Sequence, residues 1–503
     1  LIKKLFGAKP QKLEPLLALV TVLLLLAGCY DPAVTIVTPG PTATTASANP
    51  TVTSFIAPNS PPPIPTIIAP QATATVTPPA HNFSEVDSYI RDLMVRYDIP
   101  GAALGLVKDG KVILTRGYGV RNINTGAPVT ENTQFPIGSL TKSFTALAIM
   151  QLVDQGKLDL DTPAVKYLPE LKLADPQATQ KVTLRQLLSH TSGLPRSDEG
   201  LFQFRDRLKV LSSIEKIKLT AKPGATWQYS NQGYVILGAV IERVSGQSWE
   251  NYVRQNILVP LKMSSATLDL TSLKQTSDYA FPHALLTYIN QVRVANFIDP
   301  KGVAAACGIN ASVSDMAEYL RFQLGDGNLP DQKRLTSIDG FNQMHTAQIK
   351  LPDYFGYQNR GYAMGWYTGE YRGHKILSHD GTVGDFYANA LLAPEAQAGV
   401  IILTNMSYNA ATEVFSQAVS QGMMDRLLGL SSDPDLAGKL NKQAGGDLAR
   451  RQAALEAAQA YSIDPASFLS FLGLYDNGRS YPYTTIKVTN HQGRLYLEVN
   501  SNS

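Results

Sequence analysis

Three groups of residues have types and spacings that could do covalent chemistry. The first is Ser139 and Lys142 in "FPIGSLTKSFTAL". On a helix, residues three apart share a face. A serine hydroxyl is a poor nucleophile until a neighbour takes its proton. A lysine removed from water has a lowered pKa and can be that neighbour. A helix start also favours the negative charge that forms, and the Ser139 N–H could donate to an oxyanion. The spacing alone proves little, because Ser213 and Lys216 repeat it in "LKVLSSIEKIKL". Ser139 could equally cap the helix while Lys142 snorkels to the surface.

The second group is Tyr229-Ser230-Asn231. Tyr-x-Asn also occurs at Tyr288/Asn290, Tyr387/Asn389 and Tyr475/Asn477. Only the first follows a Pro-Gly turn and directly precedes an apolar helical run, "KPGATWQYSNQGYVILGAVIERVSG". A loop there could aim both side chains into a cleft. The third group is His379-Asp380-Gly381, ending a strand-like run in "ILSHDGTVGDF"; His491-Gln492-Gly493 is a decoy in the C-terminal hairpin.

The elements that must position these groups can be read from periodicity. The helix behind Ser139 is apolar on nearly all sides through Val153 and stops at Gly156. A helix apolar all round is buried. Lys142 within it needs a polar partner, because an isolated buried charge is costly, and Ser139 is one turn away. The surroundings of Ser213 mix charge and apolar residues as a surface helix does. Earlier, Val86, Ile90, Leu93 and Met94 lie at helical spacing behind Ser84, a candidate cap. "AALGLVKDGKVILTRGYGV" reads as a β-hairpin turning at Lys108-Asp109-Gly110-Lys111. "HKILSHDG", "DFYANALLAPE" and "AGVIILTN" read as three further strands, followed by an amphipathic helix, "ATEVFSQAVSQGMMDRLLG". The expected fold is α+β: one antiparallel sheet closed by N- and C-terminal strands, flanked by helices, with an inserted helical region.

The order Ser-x-x-Lys, Tyr-x-Asn, His-x-Gly resembles the serine β-lactamase-like family: class C β-lactamases, penicillin-binding DD-peptidases and related esterases and D-aminopeptidases. "GYGVRNINTGAPVTENTQFPIGSLTKSFTALAIMQLVDQGKLDLDTPAVKYLPEL" and "VTLRQLLSHTSGLP" look like this family too, and the resemblance runs from about His81 to Gly429. It implies that Ser139 is the acylated nucleophile and Lys142 its base or proton relay. Tyr229 would share the base work and protonate the leaving group, and Asn231 would hold the substrate amide or ester. The strand after His379 would lie beside Ser139. The N–H groups of Ser139 and Thr382, the residue after Gly381, would form the oxyanion hole. His190-Thr191-Ser192-Gly193 matches a family segment read here as structural. No cofactor is implied, and the histidines show no zinc-ligand spacing.

One departure bears on substrate. The β-lactamases have Lys-Thr-Gly at the third motif, supplying a cation and a hydroxyl for a substrate carboxylate. Here the motif is His379-Asp380-Gly381. Histidine is mostly neutral at pH 7, and Asp380 would repel a carboxylate if it pointed into the site; side-chain alternation along the strand allows it to face away. The expected reaction is therefore hydrolysis of a small ester, peptide or amide, cell-wall peptide included, through an acyl-enzyme. A β-lactamase or penicillin-binding protein is second, and a non-hydrolytic surface binder or sensor is the competing class.

Composition agrees with an exported enzyme. Lys+Arg is 44 and Asp+Glu 41, a net charge of +3, so no basic surface for nucleic acid is expected. Leu16 to Gly28 is apolar, preceded by Lys3, Lys4, Lys9 and Lys12 and followed by Cys29. That suits a lipoprotein signal peptide over residues 1–29, with Cys29 lipidated and the protein held on the outer face of a bacterial membrane. The only other cysteine, Cys307, then has no disulfide partner and reads as a small buried residue. Residues 30–80, rich in Pro, Thr and Ala, read as an extended tether, and residues 81–430 as the hydrolase domain. Residues 431–503 read as a linker, an Ala-rich helix and a β-rich segment that stops before completing a domain.

Overall fold

The structure is a computed structural model that describes residues 83–198, 201–286, 291–329, 333–445, 473–476, 485–491 and 494–500. The signal segment, Cys29, the tether and the Ala-rich stretch 448–461 lie outside the described residues.

The body is built on a nine-stranded sheet. Its strands are β1 (Gly101–Lys108), β2 (Lys111–Asn122), β3 (Ala127–Pro128), β4 (Ile349–Lys350), β5 (Gln358–Tyr362), β6 (Tyr367–Tyr371), β7 (His374–Val383), β8 (Phe386–Ala393) and β9 (Ala398–Thr404). The spatial order is β3-β2-β1-β9-β8-β7-β6-β5-β4, and each neighbouring pair is antiparallel. First and last strands meet mid-sheet, with Ala102 opposite Thr404 and Lys108 opposite Ala398, as the sequence led us to expect. The Lys108–Lys111 turn closes β1 onto β2.

Alternation along the strands feeds two cores. Ala102, Leu104 and Leu106 of β1, with Val400 and Ile402 of β9, face α1 (Ser84–Arg96) and a long C-terminal helix. Ala103 and Val107, with Ile401 and Leu403, face the inserted helices. Those helices lie in sequence between β3 and β4. They include α2 (Thr141–Asp154), α3 (Asn231–Ser245) and α4 (Val313–Leu324). Every α2 residue from Thr141 to Leu152 is buried, so the all-round apolar pattern meant burial. The C-terminal helix, α5 (Ala410–Leu427), covers the other face.

Two local readings are corrected. Phe83, not Ser84, occupies the cap position of α1, which begins at Ser84 itself. The stretch read as a linker after Ser431 contains a helix, α6 (Leu436–Gln443), whose Ala437 and Leu440 are buried in the core that α5 covers. Two apolar anchors in a polar run were too few to signal this in the sequence. In the C-terminal unit, Gly473–Asp476, Thr485–His491 and Arg494–Asn500 form a three-stranded antiparallel sheet, one strand more than the expected hairpin.

Candidate active site

Ser139 lies in a single helical turn, Gly138–Leu140, that leads into α2. Leu140 is the capping residue of α2, so Ser139 is not its cap. Two glycines let strand β7 press onto this turn. Gly138 has φ +53°, and a Cβ there would fall 2.4 Å from Thr382 N. A Cβ on Gly381 would fall 1.9 Å from Ile137 O and 3.0 Å from Ser139 N. Only glycine permits this approach, and it brings the N–H groups of Ser139 and Thr382 together.

Lys142 is fully buried. Its Nζ is 2.9 Å from Ser139 Oγ, 2.7 Å from Asn231 Oδ1 and 3.1 Å from the Ala306 carbonyl oxygen. Burial lowers its pKa to about 8, against partial compensation from nearby groups such as Asp198 and Asp380. The three partners serve both protonation states. A neutral amine spends its two N–H groups on Asn231 and Ala306 and turns its lone pair to the Ser139 hydroxyl. An ammonium donates to all three. By contrast Ser213 Oγ donates to its own helix at Val210 O, 2.6 Å, and Lys216 is exposed.

Tyr229 faces Ser139, and burial holds its phenol well above the usual range, the neighbouring Ser139 hydroxyl offsetting part of this. Lys142 Nζ lies 4.8 Å from its ring centroid. Asn231 begins α3, whose N-cap is Ser230, and its Nδ2 donates to Asp198 Oδ1 at 2.7 Å. Arg196 pairs with Asp198 at 2.9 Å and lies over the Tyr229 ring at 5.5 Å. Neither Arg196 nor Asp198 was singled out from the sequence; an Arg and an Asp in a loop carry no periodic signal.

His190, read as structural, touches the site. Its ring centroid is 4.3 Å from that of Tyr229. Its Nδ1 accepts from the Ser230 N–H at 3.1 Å, which places its own proton on Nε2, 3.1 Å from Tyr362 Oη. Tyr362 Oη is also 3.1 Å from His379 Nε2, and His379 Nδ1 is 2.5 Å from the Asp380 carbonyl oxygen. That carbonyl can only accept and the Ser230 N–H can only donate, so every proton in the chain has one place. His190 donates to Tyr362, Tyr362 donates to His379, and His379 donates to the backbone. Both rings are neutral. Burial pushes His379 down to about 4 and His190 well below its usual value. Burial likewise pushes the Cys307 thiol up to about 12, in keeping with an inert buried residue. Among the described residues no cluster of three or more His, Cys, Asp or Glu is placed to hold a metal ion.

Asp380 follows the alternation of β7. Leu377 belongs to the core of the inserted helices and Ile376 to the opposite core, so Asp380 alternates with His379 and Gly381, yet at this end of the strand it lies close enough to the site for its charge to raise the Lys142 and Tyr229 values. Of the other Tyr-x-Asn pairs, Asn389 is taken by Ser420 at 2.7 Å, and in a further one, Tyr357/Asn359, Asn359 donates to Glu370 at 2.9 Å. Residues 288, 290 and 477 lie outside the described residues.

A helix-flanked antiparallel sheet, with a serine and a buried lysine beside strand β7, defines the β-lactamase/transpeptidase class of fold. The beta-lactamase family profile matches residues 86–418, and the chain belongs to that family. It is 30% identical over 331 residues to Protein flp of Staphylococcus aureus (strain NCTC 8325 / PS 47), a match covering 64% of this chain and 63% of that protein. It is 28% identical over 340 residues to penicillin-binding protein 4 of Amycolatopsis lactamdurans, covering 65% of this chain and 87% of that one. The octameric penicillin-binding protein homologue from Pyrococcus abyssi superposes with a TM-score of 0.63 at 26% identity, covering 83% of this chain and 90% of that one.

Proposed function

We propose that this chain is a serine hydrolase that cleaves esters or amide bonds through an acyl-enzyme on Ser139. The family fold implies serine hydrolase chemistry. The observation that carries the reading for this chain is the 2.9 Å contact between Ser139 Oγ and the buried Lys142, whose pKa is about 8.

In the forward step, neutral Lys142 takes the Ser139 proton as Oγ bonds to the substrate carbonyl carbon. The oxyanion accepts from the N–H groups of Ser139 and Thr382, where losing one donor typically costs about 10²–10³ in rate. The Tyr229 phenol stays protonated, so the base role falls to Lys142. Tyr229 relays the proton from Lys142 to the leaving oxygen or nitrogen as its bond to carbon breaks. Water then attacks the acyl carbon and returns its proton through the same pair, releasing the acid and restoring the serine. Asn231 holds Lys142 in place through Oδ1 while its Nδ2 is anchored to Asp198.

A fluorophosphonate probe tests this. Ser139→Ala should abolish covalent labelling in a folded protein, and Ser213→Ala should not change it. Labelling that survives Ser139→Ala would sink the assignment. Burst kinetics with a chromogenic ester separate a hydrolase from a slow-turnover sensor. The proposal also places the protein on the outer face of a bacterial membrane, lipidated at Cys29, on the strength of its N-terminal sequence. Loss of metabolic palmitate labelling in Cys29→Ala is the expected result.

A further inference from the structure

The third motif does not offer a cation. Both nitrogens of His379 are committed, one accepting from Tyr362 and the other donating to a backbone carbonyl. A ring so held cannot donate to a substrate carboxylate without breaking the chain to His190. The charge that β7 does present is negative.

That charge lies on an open strand edge. Strand β6 pairs only with His374–Ser378 of β7. Among the described residues, 379–383 have a strand on one side, β8, and none on the other. The open edge begins at the residue that touches Tyr362 and runs past Gly381, against the Ser139 turn. A substrate whose carbonyl sits at Ser139 therefore runs along Asp380.

Cross-strand partners share a face. Tyr367 is opposite Ser378 and Tyr387 is opposite Thr382, so the two tyrosines border Asp380 from the neighbouring strands, and the Tyr367 ring also packs on His379 with centroids 5.1 Å apart. Tyr408 stacks on Tyr387 with centroids 5.4 Å apart and is 50% exposed. The Asp380 charge acts on all three phenols.

No hydrogen bond or ion pair engages the Asp380 carboxylate among the described residues, and the charged groups around it are engaged elsewhere. Arg196 pairs with Asp198. Arg360 lies between the rings of Tyr354 and Tyr367, at 5.1 and 5.0 Å, and donates to Pro352 O at 3.1 Å. Lys142 is bound inside the site. Glu413 accepts from the hydroxyls of Tyr354 and Tyr408 at 2.6 and 3.0 Å. One unpaired carboxylate among aromatic rings is the chemistry that holds an ammonium, by charge and by the negative ring faces.

We propose that Asp380, with Tyr367 and with Tyr408 backed by the buried Tyr387, forms a subsite for a cationic group, an ammonium or quaternary ammonium, carried by the substrate that acylates Ser139. This rests on the serine-hydrolase reading and names its substrate class.

The test uses matched esters on the full chain. In one series the acyl end carries a trimethylammonium, its neutral tert-butyl isostere or a carboxylate. In a second, the leaving alcohol is choline or 3,3-dimethylbutanol. The expected result is a kcat/KM for the cation about tenfold or more above its neutral isostere in one series, with the carboxylate poorest. Asp380→Asn should bring the ratio towards one, and Tyr408→Ala should reduce it by less. Equal rates for the isosteres in both series overturn the proposal, as does a preference for the carboxylate or a cation preference that survives Asp380→Asn. If no ester turns over and Ser139 does not label, the hydrolase reading fails on its own. Quenching of protein fluorescence by choline against 3,3-dimethylbutanol then still decides the subsite, and equal quenching overturns it.

Discussion

Lys142 Nζ is held as closely by Asn231 Oδ1, at 2.7 Å, as by Ser139 Oγ, at 2.9 Å. Asn231 is in turn anchored to Asp198. The base is thus aimed from α3 as well as from its own helix, and its pKa is set by burial against nearby carboxylates.

The pH dependence follows. Lys142 must be neutral to accept the serine proton, and its value is about 8. The rate of fluorophosphonate labelling should rise about tenfold per pH unit below 8 and level off above it. Asp198 raises the Lys142 value, so Asp198→Asn should move this limb to lower pH. A limb that stays put or moves up would contradict the arrangement.

Lys142→Met should separate activity from stability. The folded value is lowered from 10.5 to about 8, so between those pH values the unfolded chain holds a proton that the folded chain has released. Stability from this group therefore rises with pH across that window, and below pH 8 the group costs roughly 3 kcal/mol. Met removes that cost but leaves Asn231 Oδ1 and Ala306 O without a donor, at about 1–3 kcal/mol each. The expected outcome at pH 7 is lost labelling with Tm shifted by only a few degrees, read by calorimetry.

Tyr362→Phe removes the hydroxyl that joins His190 to His379. It strands a buried N–H and a buried lone pair, costing about 1–3 kcal/mol each, and releases His379 to rotate. We expect a lower Tm and a fall in kcat. In the unmutated protein, long-range 1H–15N spectra should show a neutral Nδ1–H tautomer for His379 and a neutral Nε2–H tautomer for His190 at pH 6. An imidazolium at either position at that pH would rule out the chain.

Gly381→Ala tests the seating of β7. The added methyl meets Ile137 O at 1.9 Å, so the strand must move off the Ser139 turn. Overpacking costs about 1–3 kcal/mol, and the displaced Thr382 N–H should lower kcat by about 10² or more. Unchanged ester turnover would show that Thr382 is not an oxyanion donor.

The elements of this fold were readable because their signals are local. The turn at Asp109-Gly110, the alternation in β1 and β9, and the apolar run of α2 each follow from neighbouring residue types. The pairing of β1 with β9, about 300 residues apart in sequence, was legible only as two strand-like ends seeking one sheet. Helix α6 was missed because two buried side chains, Ala437 and Leu440, give no periodic signal in eight residues.

At the site, the sequence by itself determined the pairing of Ser139 with Lys142 and the order of partner motifs, since a spacing of three on a buried helix limits where a lysine can turn. Which Ser-x-x-Lys had a cleft, which loop residues complete it and where Asp380 points were decided by tertiary structure alone. Ser213 and Ser139 differ in what packs around them. Asp198, Arg196, His190 and Tyr362 converge from separate loops and strands. The direction of Asp380 depends on strand register, a relation between segments that no single stretch of sequence contains.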